Sequence, residues 1–366
     1  MTILLVSSCS QVNTITDFIT NPSARELYQR EFEDAPETFA RWEEAGQLAL
    51  HDSISVHLPY SEAGVFRPGE FPTYSYQVAL QPGQQIKVEL KTSDTNTRVF
   101  IDLYQHHVDS VTTYEHLGSA KPEALSYRTE IMEPGVYQLV IQPEIYAESP
   151  FQLQLTSEPV YQFPVAGATN SAIQSFWGAQ RDGGRRSHEG VDIFAPRGTP
   201  VVAATSGWVS STGNKGLGGK QVWVRDRDRR QSLYYAHLDS IIATPGTHVN
   251  PGDTLGLVGN TGNARTTPPH LHFGIYKRGA IDPLPFVYQS PRPEAILQAS
   301  QDIASGLRVK VSKGNLRSAP TTRSSILGQV NAQDTLRHLG TTNGWYHVQK
   351  GNQKAFVHET LVQMLP

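Results

Sequence analysis

Three short segments in the middle of this 366-residue chain concentrate histidine and carboxylate side chains. They read Ser187-His188-Glu189-Gly190-Val191-Asp192, Leu233-Tyr234-Tyr235-Ala236-His237-Leu238 and Pro268-Pro269-His270-Leu271-His272-Phe273. On a strand, His270 and His272 would share one face, because side chains alternate between the two faces. His188 and Asp192 would add an imidazole nitrogen and a carboxylate oxygen, with Gly190 letting the backbone turn so that they converge. Such donors suit zinc, and three protein ligands leave a position open for water.

Composition narrows the choice of metal ligands and partners. The chain has one cysteine, Cys9, so a disulfide framework and a cysteine-rich zinc site are both excluded. Any metal must therefore be held by His, Asp or Glu, and the chain has 13 histidines. The formal net charge of -3 provides no global basic field that would attract nucleic acid. A His-x-His pair alone is also compatible with a metal-free pair, so the neighbouring segments must decide.

Those neighbouring segments resemble the lysostaphin-type zinc metalloendopeptidases, which cut peptide cross-links in peptidoglycan. The His-x-x-x-Asp, Tyr-x-His-Leu and Pro-His-x-His-Phe motifs occur in the order and spacing of that family. Further agreement comes from Arg181-Asp182-Gly183-Gly184, Ala195-Pro196-Arg197-Gly198-Thr199-Pro200-Val201, Ser206-Gly207-Trp208-Val209, Val249-Asn250-Pro251-Gly252, Gly259-Asn260-Thr261-Gly262 and Asp282-Pro283. The resemblance implies one Zn2+ per chain and a role for each of the five polar residues.

The roles implied by the resemblance divide the histidines into ligands and acid-base groups. His188, Asp192 and His272 match the zinc ligands of the family. His270 matches the catalytic base, and His237 matches the histidine that assists it and stabilises the intermediate. Tyr234 or Tyr235 could line the substrate groove, although packing is the commoner role for such tyrosines.

The expected activity is hydrolysis of peptide cross-links in peptidoglycan by zinc-activated water. A D,D-endopeptidase is favoured, because a lipoprotein-like anchor indicates a diderm bacterium with direct D-Ala–diaminopimelate links. The alternatives are a non-enzymatic regulator that binds the wall and activates other hydrolases, and a pure wall-binding adaptor. The presence of all five polar groups argues against the regulator.

The rest of the sequence predicts the elements that position these residues. It is typical of a mainly β, multidomain chain. Residues 21–50 predict a helical spacer, with capping boxes at Ser23–Glu26 and Asp34–Glu37 and a helix end near Gly46. In residues 51–160, apolar and polar residues alternate with a period of two. This pattern predicts a β-sandwich, and the segment resembles small jelly-roll domains. Residues 161–290 would form an antiparallel-β peptidase domain, and residues 291–306 a linker with helical character.

Residues 307–366 resemble the small SH3-like β-barrels of bacteria that bind cell-wall peptide. The resemblance lies in Asn315-Leu316-Arg317-Ser318-Ala319-Pro320, Gly344-Trp345-Tyr346-His347-Val348 and Lys354-Ala355-Phe356-Val357. The segment is also basic, through Arg308, Lys310, Lys313, Arg317, Arg323, Arg337, Lys350 and Lys354. We expect this domain to set affinity for the wall, although a merely solvated basic surface fits the sequence equally well.

Residues 1–20 suggest a lipoprotein signal or anchor and a linker. A short apolar run and small residues precede Cys9, which resembles the lipobox in which a cysteine is acylated. A lipid there would place the protein in the cell envelope or periplasm, attached to the outer membrane. No basic residue precedes Cys9, however, so either the signal begins further upstream or Cys9 is an ordinary buried cysteine.

Overall fold

A computed structural model of the protein describes residues 22–108, 112–291 and 304–365. The architecture is mainly β, as the sequence predicts. Among these residues, no helix has the length and apolar character needed to cross a membrane. The segment containing Cys9 and residues 292–303, which make up most of the linker expected at 291–306, lie outside the described residues.

Two N-terminal helices pack against the unit that follows them. They are α1 (Ala24–Gln29) and α2 (Pro36–Ala49). The capping box at Ser23 is confirmed, since Ser23 and Glu26 exchange hydrogen bonds between side chain and backbone. The prediction of a second capping box is wrong, because the residue that caps α2 is Ala35 instead of Asp34. The predicted helix end near Gly46 is also wrong, because α2 continues to Ala49. The aromatic side chains of the helices share a core with the next unit, formed by Tyr28, Phe32, Phe39, Trp42, Phe100 and Ile145.

Residues 60–159 form two antiparallel sheets packed face to face. The strands are β1 (Tyr60–Phe66), β2 (Tyr74–Leu80), β3 (Gln84–Thr92), β4 (Val99–Val108), β5 (Thr112–Ser119), β6 (Ser126–Glu130), β7 (Gly135–Pro143) and β8 (Ser149–Pro159). One sheet has the order β2-β7-β4-β5, and the other contains β1-β8-β3-β6. Buried side chains of both sheets share one core, including Tyr76 and Leu139 from the first and Ile86 and Leu153 from the second. This is the predicted β-sandwich.

The middle unit is built on a broad antiparallel sheet. Its strands are β9 (Ile173–Ser175), β10 (Gln180–Arg181), β11 (Arg186–Ser187), β12 (Val191–Phe194), β13 (Pro200–Val202), β14 (Gly207–Lys215), β15 (Gly219–Asp226), β16 (Gln231–Leu238), β17 (Ser240–Ile241), β18 (His248–Val249), β19 (Thr254–Leu257), β20 (His270–Tyr276) and β21 (Ala280–Ile281), followed by α3 (Leu284–Val287). The main order is β18-β14-β15-β16-β20-β12-β9, with a smaller sheet β13-β19-β17. A single apolar core contains residues of both sheets.

The C-terminal unit is joined to the sandwich through a continuous sheet. Its strands are β22 (Gly306–Val309), β23 (Lys313–Arg317), β24 (Ile326–Asn331), β25 (Thr335–Thr342), β26 (Trp345–Lys350), β27 (Gln353–His358) and β28 (Val362–Met364). Strand β25 pairs with β1, with Gly64 opposite Gly340. A Cβ on Gly64 would lie 2.5 Å from the Leu339 carbonyl oxygen, and one on Gly340 would clash with Glu62 Oε1. Two glycines therefore permit the close approach of the two units.

Ion pairs also cross the boundaries between units. Lys354 Nζ lies 2.7 Å from Asp52 Oδ2, and both side chains are nearly buried. Arg337 pairs with Glu70 at 2.5 Å. Part of the basic charge of the C-terminal unit therefore faces the acidic N-terminal half instead of solvent.

Candidate metal centre

Strands β12 and β20 bring two of the candidate ligands together. Asp192 and His272 lie directly opposite each other in the antiparallel register. His270 and His272 point to the same side of β20, while Leu271 between them is fully buried in the core. His188 precedes β12 and is fixed by its backbone, whose N–H donates to the Ala179 carbonyl oxygen at 2.8 Å.

Gly190 serves the site through its lack of a side chain. The sequence suggests that this glycine turns the backbone, but its φ lies outside the left-handed region. A Cβ at this position would instead lie 2.6 Å from His272 Cε1 and 2.7 Å from the Phe273 carbonyl oxygen. A larger residue would therefore push His272 out of place.

Three donor atoms converge at one point. His188 Nε2, Asp192 Oδ1 and His272 Nδ1 form a triangle in which each side measures 3.0 Å. His188 Nδ1 donates to the Phe176 carbonyl oxygen at 2.9 Å, so a neutral His188 presents a bare Nε2 to the triangle. Each of the three atoms can present a lone pair, so the triangle can hold a cation. Two nitrogens and one oxygen fit zinc.

Arg181 holds the second oxygen of the Asp192 carboxylate. Its Nη2 donates to Asp192 Oδ2 at 3.0 Å, which leaves Oδ1 for the triangle. Burial disfavours the charged carboxylate, but the neighbouring His188 and His272 outweigh burial and hold the pKa of Asp192 well below its usual range. Burial also lowers the pKa of His272. Both shifts favour the deprotonated forms that bind metals.

His270 and His237 stand beside the triangle. The His270 ring stacks on Phe194 with centroids 4.9 Å apart, and its Nε2 lies 4.0 Å from Asp192 Oδ1. Its Nδ1 donates to the Pro268 carbonyl oxygen, and His237 Nδ1 donates to the Thr261 carbonyl oxygen, both at 2.9 Å. Each neutral ring therefore presents a bare Nε2.

His237 adopts an unusual backbone conformation at the end of β16. Its φ of 63° lies in the left-handed region, which non-glycine residues seldom occupy. Burial, together with the neighbouring His272 and His270, lowers the pKa of His237 to about 4. The ring is therefore neutral near pH 7.

All five residues singled out from the sequence line one groove of about 1200 Å³. Tyr234 lines it as well, with its ring 5.8 Å from that of His272, whereas Tyr235 is fully buried and hydrogen-bonds the Ala204 N–H. Among the described residues, those that line the groove lie between Ser175 and Tyr276, so neither the sandwich nor the C-terminal unit covers it. Sequence reasoning missed the role of Arg181, although its segment belongs to the family pattern.

Comparison with known families decides the nature of the middle unit. Residues 186–283 match the family model described as Peptidase family M23. The chain contains an M23 peptidase domain. Residues 312–363 match the model described as Bacterial SH3 domain, and the resemblances to lysostaphin-type peptidases and to bacterial SH3-like domains are thereby confirmed.

Relatives of the M23 domain carry peptidase names. The L-Ala–D-Glu endopeptidase of Bacillus subtilis is 38% identical over 138 residues, which cover 34% of this chain and 42% of that protein. The DD-carboxypeptidase/endopeptidase of Neisseria meningitidis is 37% identical over 107 residues, covering 29% of this chain and 24% of that protein. The chain thus spans less than half the length of these relatives. The solved catalytic domain of lysostaphin from Staphylococcus simulans is 34% identical, covers 31% of this chain and 89% of that chain, and gives a TM-score of 0.29.

Proposed function

We propose that this protein is a zinc-dependent endopeptidase that hydrolyses peptide cross-links in bacterial peptidoglycan. The observation that carries the proposal is the 3.0 Å triangle of His188, Asp192 and His272 donor atoms on a groove that also holds two bare imidazole nitrogens. The names of the relatives support the same substrate class.

His188, Asp192 and His272 would hold one zinc ion per chain. Bound zinc would supply a Lewis acid that polarises the scissile carbonyl and lowers the pKa of a water molecule toward about 7. Arg181 keeps the Asp192 carboxylate oriented through Oδ2. The Phe176 carbonyl fixes the tautomer of His188 in the same way.

His270 is the proposed acid-base residue. Its Nδ1 is committed to the Pro268 carbonyl oxygen, so Nε2 can accept the proton of the attacking water and pass it to the leaving amine. His237 Nδ1 is likewise committed to Thr261, so a neutral His237 has no proton to offer an oxyanion. For His237 to add to the stabilisation of the tetrahedral intermediate, its Nε2 would have to take a proton from solvent.

For the bond that is cut, we propose the D,D cross-link. The Neisseria relative is named a DD-carboxypeptidase/endopeptidase, whereas the Bacillus relative is named an L-Ala–D-Glu endopeptidase. Mass spectrometry of fragments released from purified peptidoglycan distinguishes the two: D,D cleavage converts cross-linked dimers to monomers with intact stems. Stems shortened after L-Ala would contradict the D,D assignment.

Digestion of purified peptidoglycan tests the activity itself. We expect the wild type to release uncross-linked muropeptides, and expect both a chelator and His270→Ala to abolish release. His106→Ala, which removes an imidazole stacked on Tyr114 in the sandwich, is the matched control and should stay active. Activity that survives His270→Ala would refute the mechanism. A zinc-free wild type without cleavage would favour the regulator.

We also propose that the SH3 domain contributes affinity for the wall. Lys310 and Lys313 are exposed and take no part in the ion pairs that dock this domain. Lys310→Gln/Lys313→Gln should weaken pelleting with sacculi, because attraction to a polyanionic wall falls with positive charge. Lys91→Gln/Lys121→Gln on the sandwich is the matched control. Equal pelleting of the two double variants would refute the assignment.

Finally, we propose that a lipid on Cys9 anchors the protein in the cell envelope, beside its substrate. The apolar run before Cys9 supports this placement. Metabolic labelling with an alkyne fatty acid should mark the wild type and leave Cys9→Ser unlabelled. Equal labelling of both would contradict the anchor.

A further inference from the structure

The groove of the M23 domain has two chemically different ends. The strand order β15-β16-β20-β12-β9 places the metal ligands of β20 and β12 between β16 and β9. At the β15–β16 end, Trp223 stands against Tyr234 and Tyr276, with ring centroids 4.4 Å and 5.2 Å apart. At the β9 end, Arg181 of the β10–β11 hairpin donates to Ser175 Oγ at 2.5 Å. The centre therefore separates an aromatic end from the hairpin.

The β10–β11 hairpin concentrates positive charge. From Gln180 to Ser187 its sequence contains three arginines and one aspartate, in a chain whose formal net charge is -3. Gly183 and Gly184 turn the hairpin with φ of 68° and 90°, which brings Arg185 and Arg186 back to the groove just before the first metal ligand. Both arginines are exposed and line the groove. Arg181, the third arginine of the hairpin, contacts Asp192.

The groove also carries one carboxylate outside the metal centre, Glu189. Glu189 acts electrostatically on the Tyr276 phenol, and its carbonyl oxygen lies 3.1 Å from the position of a Cβ on Gly274. Both neighbours belong to β20, on the aromatic side of the ligands. The backbone of Glu189 therefore lies against β20, and its negative charge reaches the aromatic end of the groove.

We propose that Arg185 and Arg186 form a subsite for a carboxylate group of the substrate peptide, on the β9 side of the scissile bond. The proposal rests on the proposed function and specifies the substrate class: a cross-linked peptide with a free carboxylate next to the cleaved bond. Guanidinium groups bind carboxylates with paired hydrogen bonds, which fixes orientation as well as affinity. The aromatic end would contact uncharged parts of the substrate through ring faces. The two ends together would set the direction in which the peptide lies across the metal centre.

The test begins with binding, without cleavage. Zinc-loaded His270→Ala protein would be titrated calorimetrically with two synthetic cross-linked peptides that differ in one group, a carboxylate or its carboxamide. We expect the carboxylate peptide to bind roughly 10- to 100-fold more tightly, and Arg185→Gln/Arg186→Gln in the same background to bind both with the weaker affinity. Lys91→Gln/Lys121→Gln, an equal change of charge on the sandwich, should retain the preference.

Several outcomes would overturn the subsite. They are equal affinities for the two peptides, no measurable binding of either, and a preference that persists in Arg185→Gln/Arg186→Gln. Thermal unfolding of each variant would show whether the fold is kept. The conservative variant Arg185→Lys/Arg186→Lys keeps the positive charge, so it should retain part of the preference. Complete loss of the preference in that variant would mean that the charge of the hairpin does not recognise the carboxylate.

Cleavage assays separate this inference from the proposed function. In the wild type, the carboxylate peptide should show the lower KM, and Arg185→Gln/Arg186→Gln should raise that KM with little change in kcat. If neither peptide is cleaved while the carboxylate is still preferred in binding, the proposed function fails and the subsite stands. If both are cleaved and bound equally well, the function stands and the subsite fails.

Discussion

Two buried clusters of histidine and carboxylate groups invite comparison, one in the M23 domain and one where the SH3 domain meets the sandwich. In the second, Glu62 accepts hydrogen bonds from Tyr60, Tyr76 and His347, the last at 3.0 Å. The side chains of Glu62 and His347 are both 0% exposed. The M23 cluster instead lines a groove.

The difference lies in how protons and lone pairs are matched. At Glu62 every recorded contact joins a donor to the carboxylate, and His347 together with the tyrosines outweighs burial to lower its pKa. At the metal centre, a neutral His188 presents a lone pair to a carboxylate oxygen. The donors around Glu62 stabilise its charge without an ion, whereas the lone pairs of the second cluster can bind a cation. Residue type alone does not distinguish a structural cluster from a metal site.

Removal of His188, a proposed zinc ligand, should give the largest effect. His188→Ala should abolish stoichiometric zinc binding and reduce cleavage on the order of 10³-fold or more, because the Lewis acid is lost. The metal-free variant should also unfold somewhat below the temperature of chelated wild type, because the hydrogen bond from His188 Nδ1 to the Phe176 carbonyl oxygen is lost. Metal analysis and calorimetry check both points. Retention of one zinc per chain in the variant would show that His188 is not a ligand.

The sequence reveals the metal centre because its pieces are local. His188 and Asp192 are four residues apart, and His270 and His272 are two apart, so short motifs report them. The alternation that predicts the sandwich is local in the same sense. Register then completes the site by placing Asp192 opposite His272.

Contacts between residues far apart in the sequence are not marked by any short motif. Glu62 and His347 are separated by 285 positions, and the pairing of β1 with β25 depends on Gly64 and Gly340, which no periodicity marks. Arg181 belongs to a recognisable segment, but its contact with Asp192 depends on how the hairpin folds back. Two basic residues expected to face the wall, Arg337 and Lys354, instead contact carboxylates of the N-terminal half for the same reason.

Loss of the interface carboxylate should affect stability and leave the metal centre intact. Glu62→Ala should lower the free energy of unfolding by about 3–5 kcal/mol, because His347 and two tyrosines would be left buried without their acceptor. Zinc affinity should not change. The control is Glu115→Ala, which removes an exposed partner of His107 and should cost less than about 1 kcal/mol. Urea unfolding measures both, and equal losses in the two variants would refute the comparison.

Arg181 should have an intermediate effect on zinc. Arg181→Met keeps much of the side-chain volume but frees Asp192 Oδ2, and zinc affinity should fall about 10- to 100-fold, as for other groups that orient metal ligands. Competition with a chromophoric chelator measures the affinity directly. Arg225→Met, in an exposed arginine bonded to Ser232 on the same domain, is the control. Unchanged affinity in Arg181→Met would mean that Asp192 is positioned by its strand alone.

Asp102 supplies a third buried carboxylate and the smallest expected effect. Burial opposes its ionisation, but hydrogen bonds from His116 and Ser119 and the charge of Arg25 prevail and lower its pKa to about 2 from 3.8. A depressed pKa contributes stability that is present above the unfolded value of 3.8 and is lost as the pH falls through 2. The stability difference between wild type and Asp102→Asn should therefore shrink by about 2 kcal/mol over that interval. Urea unfolding at each pH measures it. A difference that stays constant would mean that Asp102, unlike Glu62, is not held ionised by its donors.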